Sequence, residues 1–291
     1  MGKEEGKNKG IICLIGSALA FSLMTVCIKQ LKGQFPTAEL VFFRSIFSLF
    51  VTRLMMIHKR ISPWGINKKL LIIRGIVGTG ALFCVFKAID SLPLATATVI
   101  QYTYPTFTAL LAWLLLGEIV KKRILIAIFL GWIGIQVVVN PFWDNTNAIN
   151  FSISSVGTAL CGAFLTALAY VIVRKLSREE HGLVIVFYFP LVSIPITLPF
   201  LLNKGVYPSG TDWLWLLGIG IFTQLGQMLI TKGLTILPAG YAGSINYSQV
   251  IFASIWGVIF FSEPLTIYIA IGAICVLGAT LISISDLPNF F

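Results

Sequence analysis

Apolar residues run along this chain in unbroken blocks. Ile11–Leu31, Leu94–Leu116, Ile124–Val139, Val184–Leu202 and Ile267–Ser283 are apolar all round a helix instead of along one stripe. At about 1.5 Å rise per residue, each is long enough, or nearly so, to cross a ~30 Å hydrocarbon layer. Breaks between blocks delimit ten predicted spans: 10–32, 37–57, 69–91, 94–116, 123–140, 152–174, 182–202, 212–236, 239–261 and 265–285. Several connections are little more than a turn, as at Gly33–Pro36, Leu92–Pro93, Leu237–Gly240 and Ser262–Leu265. Loops this short force antiparallel neighbours and leave no room for a soluble domain. The pattern predicts an all-α, polytopic membrane protein.

Composition agrees. Hydrophobic residues make up 57% of the 291 and charged residues only 11%, roughly half of what a soluble domain uses to cover its surface. The mean hydropathy is +0.92. A net charge of +10 would suit nucleic acid, but the placement of the charges argues against that reading. Lys59, Arg60, Lys68 and Lys69 share one loop; Lys121, Lys122 and Arg123 occupy the loop two spans later, and Arg174, Lys175 and Arg178 the loop two spans after that. With Lys3, Lys7 and Lys9 in the N-terminal tail, all four sets fall on one side of a ten-span bundle. The opposite loops hold little beyond Lys32 and Lys204, and Phe142–Phe151 has no Lys or Arg. This is the positive-inside pattern, so both termini are expected in the cytoplasm and the basic charge is read as topology and lipid headgroup contact.

The five cysteines, Cys13, Cys27, Cys84, Cys161 and Cys275, all lie in apolar spans without metal-ligand spacing, and read as small buried hydrophobes. Ala18-Leu19-Ala20 loosely mimics a signal-peptide cleavage site. The apolar run continues well past it, so the first span is expected to stay.

Sliding the sequence by 145 positions aligns its two halves without a gap. Lys87 falls on Lys232, Leu92-Pro93 on Leu237-Pro238, Ala97 on Ala242, Tyr102 on Tyr247, Phe107 on Phe252 and Glu118 on Glu263. Gly75-Ile76 falls on Gly220-Ile221, and Lys29-Gln30-Leu31 on Arg174-Lys175-Leu176. Apolar composition alone would match Leu and Ile by chance, but not Lys, Pro, Tyr and Glu at one offset. The expected organisation is a cytoplasmic tail at 1–9, a five-helix repeat at 10–140, a non-cytoplasmic linker at 141–151, a second five-helix repeat at 152–285 and a cytoplasmic tail at 286–291. Five is odd, so the second repeat enters the membrane from the opposite side. The predicted fold is thus a 5+5 inverted repeat, a design that supports alternating access to a midplane site between the halves.

At this point the sequence resembles a known family. Arg74-Gly75, then Ser91-Leu92-Pro93-Leu94-Ala95-Thr96-Ala97-Thr98, then Tyr104-Pro105-Thr106-Phe107-Thr108-Ala109 and Gly117-Glu118 resemble the signature of the drug/metabolite transporter superfamily, EamA type. So do the echo Leu237-Pro238-Ala239-Gly240, Phe252 and Ser262-Glu263-Pro264, and Phe42-Phe43-Arg44 in the second span. The resemblance covers essentially the whole chain. It implies ten helices, cytoplasmic termini and a central cavity lined by spans 1–4 and 6–9, with spans 5 and 10 as supports. The Phe-Phe-Arg and Arg-Gly pairs look like a branch containing organic-anion and S-adenosylmethionine carriers.

Charges near a helix centre cost at least ~2.5–3.5 kcal/mol, which makes each one a functional candidate. Arg44 is the deepest, roughly two turns into span 2. It reads either as a cavity cation for a substrate carboxylate or phosphate, which its fork of donors matches, or as a structural pin to helix-end carbonyls or another span's carboxylate. Lys87 and Lys232 are repeat mates near span ends; Lys87 has Asp90 three residues on, so a local pair with snorkelling is its plain alternative. Arg53 and Arg74 lie near cytoplasmic ends and are expected to snorkel, with Arg74 a candidate gate residue. Glu118 and Glu263 close spans 4 and 9, where a carboxylate caps the next helix or bridges to a basic gate partner.

Uncharged polar groups concentrate in the same region. Thr98, Gln101 and Pro105 share a helical face flanked by Tyr102 and Tyr104, and Asn246 and Tyr247 stand at the matching positions of span 9. Span 8 adds Gln224 and Gln227, and span 3 adds Phe83 one turn before Lys87. Substrate lining and plain interhelical hydrogen bonding are both open to them. Pro190, Pro195 and Pro199 are expected to break backbone bonds in span 7 and supply a hinge.

Together these features predict a secondary transporter, with no enzymatic activity and no cofactor, for a small metabolite bearing a carboxylate or phosphate. No Walker-type phosphate loop is present. A lipid-acting enzyme would need an interfacial nucleophile or metal cluster, whereas His58 and His181 lie alone in predicted cytoplasmic loops. A channel remains the third reading. Short loops and the lack of a targeting extension point to a bacterial inner membrane, with lipid and a small metabolite as partners.

Overall fold

The computed structural model describes residues 2–31, 33–91, 100–119, 121–139 and 153–261, with 271–272, 274–275, 277–279 and 281–282 of the last predicted span. Its helices are α1 Gly2–Gln30, α2 Thr37–His58, α3 Lys68–Ser91, α4 Tyr104–Leu116, α5 Lys122–Val139, α6 Ile153–Leu176, α7 Gly182–Lys204, α8 Asp212–Ile236, α9 Ala239–Ile245 and α10 Ser248–Phe261. Among the described residues, six helices are long and apolar enough to cross a membrane: Gly6–Gln30, Thr37–His58, Lys68–Ala88, Ile153–Leu176, Gly182–Leu202 and Asp212–Ile236. Tyr104–Leu116 is a shorter apolar helix.

Burial is reversed relative to a soluble bundle. Phe50, Leu54, Ile57, Trp113, Leu114, Phe129, Leu214 and Ile259 are exposed, whereas Ser45, Ser48, Thr52, Thr79, Thr108, Ser193 and Thr197 are buried. An apolar exterior costs nothing in lipid, and buried hydroxyls return their protons to the helix that carries them. Ser45 donates to the Val41 carbonyl, Thr79 to Gly75, Thr108 to Tyr104 and Thr197 to Ser193, all one turn back.

Helix pairing follows the 145-residue offset. α1 runs antiparallel to α8: Gly10 meets Leu237, Leu14 meets Gly233, Phe21 meets Gly226 and Cys27 meets Gly218. α3 runs antiparallel to α6 in the same way, with Cys84 and Val85 against Gly162. α2 lies parallel to α8 and α7 parallel to α3, and here the contacts are duplicated residue for residue. Gly75 faces Val192, and Gly220 faces Phe47; a Cβ on either glycine would sit 2.7 Å from the facing side chain. Adding 145 to one member and subtracting it from the other converts each contact into its twin. The same operation converts the Thr79–Ser193 hydrogen bond (2.6 Å) into the bond that Ser48 makes to Gln224. α2 and α7, which correspond to each other, pack together.

Three expectations need correction. Span 9 is two helices, α9 and α10, interrupted at Asn246–Tyr247, and the described part of span 4 likewise turns at Tyr102–Thr103 before α4 begins. Backbone bonds tighten to three-residue spacing at both breaks: Thr103 to Ile100 and Thr106 to Thr103, Tyr247 to Ser244 and Gln249 to Asn246. Pro105, in the first turn of α4, contributes by lacking an N–H. The prolines of span 7, in contrast, each remove one N–H donor yet leave α7 a continuous helix. Finally, Cys161 is exposed and Cys84 only half-buried. They meet on the outward side of the α3–α6 contact, where lipid accepts a thiol as readily as a core does.

Candidate functional site

The bundle centre is built on two arginines. Arg44 from α2 and Arg74 from α3 are only 4% and 2% exposed. Both guanidinium groups lie on the ring of Phe189 from α7, at 5.2 Å and 4.3 Å from its centre. The Nε of each, and Nη1 of Arg74, has no hydrogen-bond partner. Neither forms an ion pair with a carboxylate among the described residues. Glu39, the acid nearest Arg44 in sequence, instead accepts from the Val206 N–H at 3.0 Å. Burying an ion costs several kcal/mol, and a desolvated cation on an aromatic face recovers about 2 kcal/mol. The deficit remains as unspent donor capacity and positive potential.

Phe189 is the residue 145 positions after Arg44. An arginine therefore stacks on its own repeat mate. Gly78 makes the space: a Cβ there would lie 2.8 Å from the Phe189 ring and 3.0 Å from Nη1 of Arg74.

Aromatic side chains continue this centre toward the helix breaks. Tyr170 of α6 lies beside Arg74 and meets Tyr104 edge-on at 5.6 Å. Tyr104 neighbours Tyr102 at 6.3 Å, and Tyr102 neighbours Tyr247 at 6.4 Å, a second pair of repeat mates in contact. The Asn246 amide stands against Tyr104 with its Oδ1 unpartnered, and Gln101 donates to Thr166 at 3.2 Å while its Oε1 is unpartnered. Deeper along α8, Gln224 accepts from Ser48 and donates to Thr52 at 2.8 Å, whereas Nε2 of Gln227 is buried without a partner.

A separate cluster joins several helix ends. Glu118 receives Nε of Arg174 at 2.9 Å and the Ala239 N–H at 3.0 Å. Arg174 Nη1 also donates to the carbonyls of Leu234 and Thr235, at 2.9 and 3.0 Å. One carboxylate thus joins the ends of α4, α6, α8 and α9. It does cap a helix, but a helix of the other half and not the next one along the chain.

The structure brings Arg44, Gln101, Tyr102, Asn246, Tyr247, Gln224 and Gln227 into the interior. Arg74 joins them, contrary to the snorkelling expected of it, because Gly78 opens a path inward to the Phe189 ring. Lys87 and Lys232 are exposed and stand apart from the arginine pair, since long stems let their ammonium groups leave the bundle. Phe83 is half-buried against Phe200 at 5.8 Å, a contact between helices. Thr98 and Glu263 lie outside the described residues. Sequence reasoning missed Phe189, Tyr170 and Arg174. The offset that pairs Arg44 with Phe189 was the available signal for the first. The other two had none, as Arg174 looked like topological charge.

The EamA-like transporter family matches twice along the chain, over residues 8–140 and 153–285. This protein belongs to the EamA-like transporter family. It is an integral, multi-pass membrane protein, and among its relatives the family counts transporters and exporters. The pseudopaline exporter of Pseudomonas aeruginosa is 30% identical over 278 residues, covering 95% of this chain and 96% of its own. Human solute carrier family 35 member G1 is 30% identical over 283 residues, covering 93% of this chain and 77% of its own. A crystal structure with 17% identity superposes with a TM-score of 0.78 over 97% of this chain and 96% of that one, a likeness of fold.

Proposed function

We propose that this protein is a secondary carrier that moves a small metabolite bearing a carboxylate or phosphate by alternating access. It would sit in a bacterial inner membrane as ten spans in two inverted five-helix halves, with both termini cytoplasmic. The inversion is supported by direction. Consecutive spans alternate, so α1 and α3 point the same way, as do α6 and α8; α1 is antiparallel to α8 and α3 to α6. An inverted repeat puts its two-fold axis in the membrane plane. Residues that touch their own repeat mates, Arg44 with Phe189 and Tyr102 with Tyr247, therefore belong at mid-depth.

The observation that carries the reading is the burial of Arg44 and Arg74 without an acid partner among the described residues. A structural arginine would be paired. A cation awaiting a substrate anion is not. Helix breaks at matching places in the two halves add to this, since interrupted spans line the midplane sites of carriers. Glu118 with Arg174 would be the cytoplasmic gate. By the 145-residue offset, Glu263 and Lys29 occupy the corresponding sequence positions in the opposite halves. The relative named as an exporter supports outward transport.

The test is counterflow of labelled organic acids in proteoliposomes. Wild type should accumulate label saturably, and Arg44→Ala should abolish uptake while the purified variant still elutes as a folded particle. Undiminished uptake by that variant would remove Arg44 from the site. Single-channel currents in place of saturable counterflow would favour a pore.

A further inference from the structure

Two buried cations converge on one ring, and that is more charge than one carboxylate neutralises. We infer that Arg44 and Arg74 form a single site for a small organic dianion, such as a dicarboxylate or a phosphate monoester, with both negative charges bound around Phe189. The inference rests on the carrier reading above and narrows its substrate class.

The geometry carries it. Both guanidinium groups are measured to the same ring centre, at 5.2 and 4.3 Å, so they cannot be farther apart than those two distances laid end to end. One small molecule spans that gap. Each group keeps at least one N–H donor unused, and Arg74 keeps two. Like charges this close repel, and removing water strengthens the repulsion. Phe189 attracts both cations with its face but neutralises neither. The phenol of Tyr170 beside Arg74 is neutral and balances no charge, and the hydroxyls of Ser48, Thr52, Thr79 and Ser193 are engaged with one another and with Gln224. A monoanion would leave one guanidinium buried, charged and unmatched, which is the costlier arrangement. Two negative charges close the balance, and a guanidinium accommodates carboxylate and phosphate oxygens equally well.

Symmetry makes the site polar. Arg44 corresponds to Phe189, and Arg74 corresponds to Ile219 in the second half. Both cations therefore come from the first half and the ring on which they rest comes from the second. When the halves rock, the anion stays with α2 and α3 while the α7 side of the site moves past it.

Isosteres that differ by one charge test the inference with purified protein. Binding is titrated calorimetrically at pH 8 with succinate against its half-amide succinamate, and with phenyl phosphate against phenyl methyl phosphate. Wild type should bind at least one dianion about tenfold or more tightly than its monoanionic isostere, the scale set by one charge-assisted contact. Arg44→Gln and Arg74→Gln should each reduce that ratio to about one, whereas Arg44→Lys and Arg74→Lys should retain a preference for the dianion. Preference for succinate alone identifies a dicarboxylate site, and preference for phenyl phosphate alone a phosphate site. Equal affinity for dianion and monoanion overturns the inference, as does failure of all four probes to bind, and these wild-type measurements need no variant to fold. Failure of the carrier reading would register differently, as dianion binding without counterflow of any solute.

Discussion

At the scale of single residues, the exchange of one member of a repeat pair has changed the chemistry of the whole centre. Position 44 carries an arginine and its mate at 189 a phenylalanine. A symmetric pair of arginines would repel across the axis, and a symmetric pair of phenylalanines would bind no anion. Phe189→Leu should therefore lower stability by about 2 kcal/mol or more, because two desolvated cations lose their aromatic face. Phe189→Tyr should keep most of it; melting of the purified variants in detergent separates the two. Gly78→Val places its Cβ within 3.0 Å of both Phe189 and Arg74. Overpacking of this kind costs about 1–3 kcal/mol, and dianion binding should fall with it, measurable in the same titrations. Arg44 was legible as an intramembrane charge. Its stacking partner carried no local mark as an apolar residue in an apolar span, and only the 145-residue offset pointed to it.

At the scale of elements, hydrogen bonds repeat with the helices that hold them. Ser48 with Gln224 joins α2 to α8, and Thr79 with Ser193 joins α3 to α7. Double-mutant cycles with Ser48→Ala and Gln224→Leu, and with Thr79→Val and Ser193→Ala, should return similar couplings of about 0.5–1.7 kcal/mol each. A coupling near zero in one pair alone would show that the two interfaces are not equivalent in energy. Helix existence was readable from block length, whereas the breaks at Tyr102–Thr103 and Asn246–Tyr247 were not. Span 9 has no proline to announce its interruption. It breaks where Tyr247 packs into the space left by Gly131 of α5, whose own Cβ would lie 2.6 Å from that ring.

At the scale of the whole molecule, the Glu118–Arg174 cluster ties together the ends of α4, α6, α8 and α9, and the carrier reading makes it a gate. Glu118→Ala should shift the population toward opening on that side. A Ser244→Cys reporter, buried in α9, should then react at least several-fold faster with a water-soluble maleimide than in the parent, read by mass spectrometry in a background without other cysteines. Topology is checked in cells with an impermeant maleimide. Ser209→Cys, in the α7–α8 loop, should be labelled from outside, and Ser62→Cys, in the α2–α3 loop, only after lysis. The reverse pattern would invert the assignment of the gate.

The linear chain was enough to read a polytopic helical membrane protein, a repeated sequence and its family, because hydrophobic block length and a constant offset are both properties of order along the sequence. What only the folded structure decided is which polar groups share a space. Arg74 counted as a membrane-surface arginine until α3 was laid against α7, and Arg174 as a topological charge until α6 met α4 and α8. Lys87 and Lys232 stood above both as candidate substrate ligands, yet they are exposed and leave the bundle. In a span that is apolar on every face, hydrophobicity does not tell inside from outside, so a side chain's direction depends on the neighbours that the helix acquires.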